Sequence, residues 1–108
     1  MFLIVTKYLI PKGYRGLALF PFVFVKYSLD KENPVFVNHE RIHLRQQLEL
    51  LIVPFFVLYF LEFLVRLIQY GNRDLAYRNI SFEREAYANE KDLDYLKQRS
   101  FWNFLKYV

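Results

Sequence analysis

Between Leu50 and Ile68 the chain carries nineteen residues of which only Glu62 and Arg66 are charged, and no other feature restricts its folding so strongly. As a helix that stretch is about 28 Å long, close to the hydrocarbon thickness of a bilayer. Apolar side chains fall all round the cylinder, and a chain of 108 residues has few other elements with which to cover them. Lipid, a second copy of the chain, or the centre of a small helical bundle would each bury the surface, while Pro54, Glu62 and Arg66 weaken an uninterrupted span. At 55% hydrophobic and 20% aromatic residues the chain is too apolar for intrinsic disorder, and its length suits a single domain over residues 1–108.

The rest of the pattern predicts an α+β, mainly helical fold with a short N-terminal extended segment. Met1 to Ile10 is apolar but broken by Thr6 and Lys7, has no preceding basic region, and runs into Pro11-Lys12-Gly13, so a cleavable signal peptide is not expected. Leu17 to Val25 is rich in aromatic and β-branched residues and reads as one strand, at an edge or bulged because Pro21 cannot donate to a ladder. Lys26 to Asn33 is a connecting loop. Asn33-Pro34 is a helix start, with Asn as cap and Pro where its missing N–H costs nothing, and the helix runs to about Val53 before Pro54 kinks or ends it. Gly71-Asn72 closes the apolar stretch. A last helix runs from a cap at Ser81 to about Arg99, with Glu83 and Glu85 in its first turn, and the aromatic tail Phe101 to Val108 reads as a closing helix, an interfacial anchor or a self-inhibitory segment.

The chain has two histidines, and they occur as His39-Glu40-Arg41-Ile42-His43. Four residues apart on a helix, both imidazoles reach one ion, while Glu40 sits a step round beside the ion's open position. Chance produces this arrangement in on the order of one such chain in a thousand. A catalytic zinc site needs three protein ligands, and cysteine and further histidine are absent, so the third must be a carboxylate. Glu83 and Glu85 are the best placed, in a segment whose alanines let a second helix approach; Glu62 is weaker.

The layout resembles the gluzincin metallopeptidases, in which a glutamate on a downstream helix completes a His, His, Glu zinc site, and the length matches the short minigluzincins. In the related CAAX prenyl proteases the third ligand opens a pattern of Glu, two residues, then Ala, followed by Asp. That frame nominates Glu83 in Glu83-Arg84-Glu85-Ala86, with Tyr87 where Asp is expected; the frame Glu85 to Asn89 keeps Glu85 as the alternative, with Asn89 as a polar group for a ligating histidine. The run from His39 to Arg66 is also similar to small bacterial proteins of no assigned activity. The resemblance implies a zinc-dependent peptide hydrolase with His39, His43 and Glu83 as metal ligands and Glu40 as general base. Zinc would acidify a water and polarise the carbonyl, and Tyr70, Tyr77 or Tyr87 would offer a phenol to the oxyanion. The strand over Leu17 to Val25 would pair with an extended peptide.

Expected partners are therefore a peptide or protein substrate, a membrane, and a second copy of the chain. The net charge of +4 includes Lys7, Lys12, Arg15, Arg41, Arg45, Arg73 and Arg78 and suits lipid headgroups, whereas no nucleic-acid motif is present and no nucleic acid is expected. The chain is expected to be membrane-associated, or otherwise cytoplasmic. The rival reading is a membrane-associated binding or scaffold protein whose metal site is structural or inactive.

Overall fold

The computed structural model describes residues 1–6, 8–10 and 13–108; Lys7, Pro11 and Lys12, which enter the expectations about charge and the signal peptide, lie outside the described residues. The fold is α+β and mainly helical, with a small sheet at the N-terminal end. Its strands are β1 (Phe2–Val5), β2 (Gly16–Leu19) and β3 (Phe22–Val25), in the order β1-β3-β2. β1 runs parallel to β3 with Phe2 opposite Phe22, and β2 runs antiparallel to it with Gly16 opposite Val25. The single strand expected over Leu17 to Val25 is therefore a hairpin, turned at a cis Phe20–Pro21 bond. Pro21 has no N–H to offer a ladder, so the apolar run folds back on itself there, leaving β2 as an edge and β3 in the centre with Val23 and Val25 buried.

α1 (Pro34–Glu49) starts as its sequence directs, the Asn33 side chain accepting the N–H groups of Val35 and Phe36 at 3.1 and 3.2 Å. It ends at Glu49, earlier than expected. Leu51 and Ile52 both take φ of 62°, and α2 (Val53–Tyr70) begins afresh with Pro54 in its first turn, where the missing N–H has no partner to lose. Pro54 thus opens a helix where a kink or an end was expected. α2 closes at Gly71, whose φ of 62° is the left-handed conformation glycine adopts readily.

α3 (Arg73–Arg78) leads into α4 (Ser81–Asn89). Ser81 is the first helical residue of α4, not its cap: its N–H and hydroxyl both donate to the Glu62 carboxylate, at 2.5 and 2.6 Å, so an anion from α2 neutralises the start of α4. The helix expected to reach Arg99 stops at Asn89. Asp92 accepts the Asp94 N–H on its side chain and diverts the backbone into turns before α5 (Tyr95–Gln98).

Two apolar clusters hold these elements. One joins the sheet to α1 through Ala18, Val23, Val25 and Leu44; the other joins α2, α4 and the tail through Phe55, Ile80, Phe82 and Phe104. The tail therefore closes the second core, with the Trp102 indole donating to the Glu49 carbonyl, and it lines neither cavity at the site described below. α2 is long and apolar enough to cross a membrane, and Phe55 is its one buried residue. Burial in a bundle, one of the three expectations for this segment, is not met.

Candidate metal centre

The polar face of α1 fills the seam between the two clusters. Asn38, His39, Glu40, His43, Gln46 and Gln47 are all buried, an expensive arrangement unless each is satisfied or has work to do. Gln47 and Asn38 are structural. Gln47 accepts the Phe20 N–H and donates to the Ala18 carbonyl, both at 2.7 Å, which pins the edge strand β2 to the helix. Asn38 donates to the carbonyls of Glu90 and Asp92 at 2.9 Å, beyond the end of α4.

The two histidines meet Glu83 in this seam. Nε2 of His39 and Nε2 of His43 each lie 3.1 Å from Glu83 Oε1 and 3.2 Å from one another. These residues form a buried cluster able to hold a metal ion. Tetrahedral zinc with bonds of about 2.0–2.1 Å sets its ligands roughly 3.3 Å apart, close to the spacing of these three atoms. The remaining atoms of each ligand are held from behind. His39 Nδ1 faces Glu90 Oε2 at 2.7 Å, His43 Nδ1 faces Gln46 Oε1 at 2.8 Å, and Tyr59 donates its hydroxyl to Glu83 Oε2 at 2.6 Å. Gln46 donates its amide to the Phe82 carbonyl and Glu85, which fixes its oxygen toward His43. With a metal bound, both imidazoles would carry their proton on Nδ1 and turn lone pairs inward, toward the free oxygen of a carboxylate. Three electron pairs converging at this distance repel unless a cation lies among them.

In the absence of a metal, a proton serves. Burial alone would lower His43, but the charge and hydrogen bond of Glu83 outweigh it and push the imidazole up to about 9. Burial would raise Glu83, yet the two histidines hold it well below the ordinary carboxylate range.

Glu40 is separate from this knot. Its carboxylate is buried, makes no hydrogen bond among the described residues, and lines two cavities of about 480 and 500 Å³ that meet beside the cluster. Burial pushes it up from its ordinary value, partly offset by His43 and His39. β2 passes close above: a Cβ on Gly16 would lie 2.6 Å from the Phe36 ring and 3.2 Å from Glu40 Oε1. Only a residue without a side chain lets the strand approach the acid so nearly.

Glu85, the alternative ligand, lies on another side of α4. It is paired with Arg99 and accepts from Tyr95 at 2.5 Å and Gln46 at 2.9 Å. Asn89 bonds the Glu85 carbonyl and the Tyr107 hydroxyl, and reaches no histidine; Glu90 takes the position expected for it. Glu62 caps α4. Of the three tyrosines, Tyr77 lines both cavities and hydrogen-bonds Tyr87, whose ring packs 4.6 Å from that of His39, whereas Tyr70 lines neither cavity.

Glu90, Gln46 and Tyr59 escaped the sequence reading. Gln46 had a local signal, three residues after His43 on the same helical face. Glu90 and Tyr59 had none, since each reaches the cluster from a different element. Comparison of the chain with family models, curated proteins and solved structures finds no match.

Proposed function

We propose that the protein is a zinc-dependent peptide hydrolase of gluzincin type, with His39, His43 and Glu83 as metal ligands and Glu40 as general base. The observation that carries this reading is the convergence of three ligand atoms beside a buried carboxylate that makes no hydrogen bond among the described residues and opens to two cavities. Two imidazoles and one carboxylate form a ligand set suited to zinc, which when bound supplies Lewis acidity and makes a water more acidic. Glu40, raised above its ordinary value by burial, takes a proton from the attacking water as its oxygen bonds the amide carbon. As the C–N bond breaks, Glu40 gives that proton to the leaving nitrogen. Tyr77, at the meeting of both cavities, is the phenol placed to donate to the developing oxyanion. The Arg15 carbonyl accepts the Lys26 N–H at 2.9 Å, and strand alternation then turns the backbone of Gly16 and Ala18 toward the free edge of β2. Gln47 holds the Ala18 carbonyl, so the Gly16 carbonyl and Ala18 N–H remain for an extended substrate.

A second part of the proposal concerns location. The outward side chains of α2, from Val53 through Val57, Leu61 and Val65 to Ile68, are apolar and exposed, while Glu62 and Arg66 face the protein. A helix with its charges inward and its hydrocarbon outward suits a membrane, with a second copy as the other cover.

The test is metal content joined to turnover. Purified protein should hold one zinc per chain, and His39→Ala, His43→Ala and Glu83→Gln should each lose it. Glu40→Gln should keep zinc and lose peptide cleavage by about a thousandfold or more. Zinc retained in a parent protein that cleaves no peptide would favour the scaffold reading, to which the outward face of α2 already lends support.

A further inference from the structure

The two cavities that meet at Glu40 differ in chemistry. One carries the charged side chains of Arg15, Asp74, Arg78 and Glu90 beside aromatic ones and is the more polar of the two. The other, about 500 Å³, runs along α2 past Phe55, Phe56, Phe60 and Phe63 and ends at His43 and Glu83. Its inner end lies at the cluster, where the Phe55 ring is 6.5 Å from that of His43. Its outer end is Phe60, 59% exposed and part of the outward face that carries Leu61, Leu64 and Ile68. The mouth of the apolar cavity and the uncovered face of α2 are thus one surface, and the exposed cation Arg73 lines the same cavity.

We propose that the site is fed from a lipid surface: its substrates are apolar peptide segments lying in the interface of an anionic bilayer, which slide along α2 and place a large side chain in this cavity. Their hydrolysis rests on the function proposed above; their route of entry does not. Lipid is favoured over a second copy because a dimer formed through this face would cover Phe60 and shut the cavity, whereas fluid acyl chains yield to an incoming segment. Arg73 gives the rim the charge an anionic headgroup prefers.

The experiment uses the full zinc-loaded chain on vesicles of phosphatidylcholine and phosphatidylglycerol, with a leucine-rich amphipathic peptide bearing a diazirine on one leucine. In the Glu40→Gln protein, which needs no turnover, photolabelling should map to Phe56, Phe60 and Phe63 and should require vesicles. Leu61→Lys with Ile68→Lys, on the outward face and outside the cavity, should weaken vesicle binding about a hundredfold and labelling in proportion, with zinc content and helicity unchanged. In the parent protein, cleavage of the vesicle-bound peptide should exceed that of a soluble peptide about tenfold, and the double variant should abolish the difference while leaving the soluble rate intact. Labelling that is equal without vesicles, or a dimer that the double variant dissociates in the absence of any vesicle binding, overturns the proposal. Cavity labelling with no cleavage of either peptide upholds the entry route and removes the hydrolase.

Discussion

At the residue scale, the centre is built so that something positive must occupy it. With His43 pushed up to about 9 by Glu83, the metal-free protein carries an imidazolium there at neutral pH. A raised folded value means that this attraction is fully present below the ordinary histidine value of about 6.5 and is lost as pH rises through about 9. On the proposed function, zinc competes with that proton. Uptake at pH 7 should therefore expel about one proton per ion, and apparent affinity should climb about tenfold per pH unit up to about pH 9 before levelling. Calorimetric titration in buffers of different ionisation enthalpy measures the release directly, and a value of zero would contradict the arrangement. His39, Glu40 and His43 were legible because one turn of one helix makes their relation local. The choice between Glu83 and Glu85 was not, because they lie two residues apart on α4 and the rotation of that helix is set from outside, by Arg99 pairing with Glu85 and by the histidines waiting for Glu83.

At the scale of elements, two contacts decide whether the centre keeps its shape. The first is the approach of β2 to α1 at Gly16, where an alanine methyl would strike the Phe36 ring and crowd Glu40. Gly16→Ala should keep zinc, since all three ligands lie elsewhere, and should lower turnover about tenfold or more by displacing the base; unchanged turnover would mean that the strand has room to retreat. The second is Arg99, at the end of α5, whose side chain is fully buried between Glu85 and Glu49 and locks that end onto α4 and α1. Arg99→Ala should cost roughly 3–5 kcal/mol in denaturant unfolding, because two carboxylates are left in the interior without their cation. Burial would raise Glu85, but the bonds from Arg99, Tyr95 and Gln46 reverse that and hold it low. Its contribution is present above the unfolded value of about 4.3 and lost as pH falls through the lower folded value, so the parent should destabilise in acid along a slope that the variant lacks. Element types followed from periodicity, and their ends did not: Pro21 and Pro54 were recognised as breakers, yet a proline interrupts one element and admits the next, and only the packing of the neighbours says which.

At the scale of the whole molecule, the two apolar clusters are separate bodies joined along the polar face of α1. The sheet cluster reaches α1 through Leu44; the aromatic cluster reaches it through α4, by way of Gln46, Asn38 and the histidine pair with Glu83. This arrangement was invisible in the sequence, where His39, Glu40 and His43 stood out as a metal motif but nothing marked the polar face of α1 as a seam between two clusters. A cation at the centre would bridge α1 to α4 directly, beside the hydrogen bonds and the Glu85–Arg99–Glu49 ion pairs that already join them, and its binding free energy becomes stability of the joined fold. At a free zinc concentration one hundred times the dissociation constant the gain is about 2.7 kcal/mol, which for a chain of this size corresponds to a rise in melting temperature of roughly 10–20 °C. Scanning calorimetry with zinc and with chelator should show that rise, together with a sharper transition as the two clusters unfold as one. His43→Ala should melt at a temperature indifferent to zinc. A parent protein equally indifferent would place no ion at the seam, and the polar face of α1 would then have to be explained by its hydrogen bonds alone.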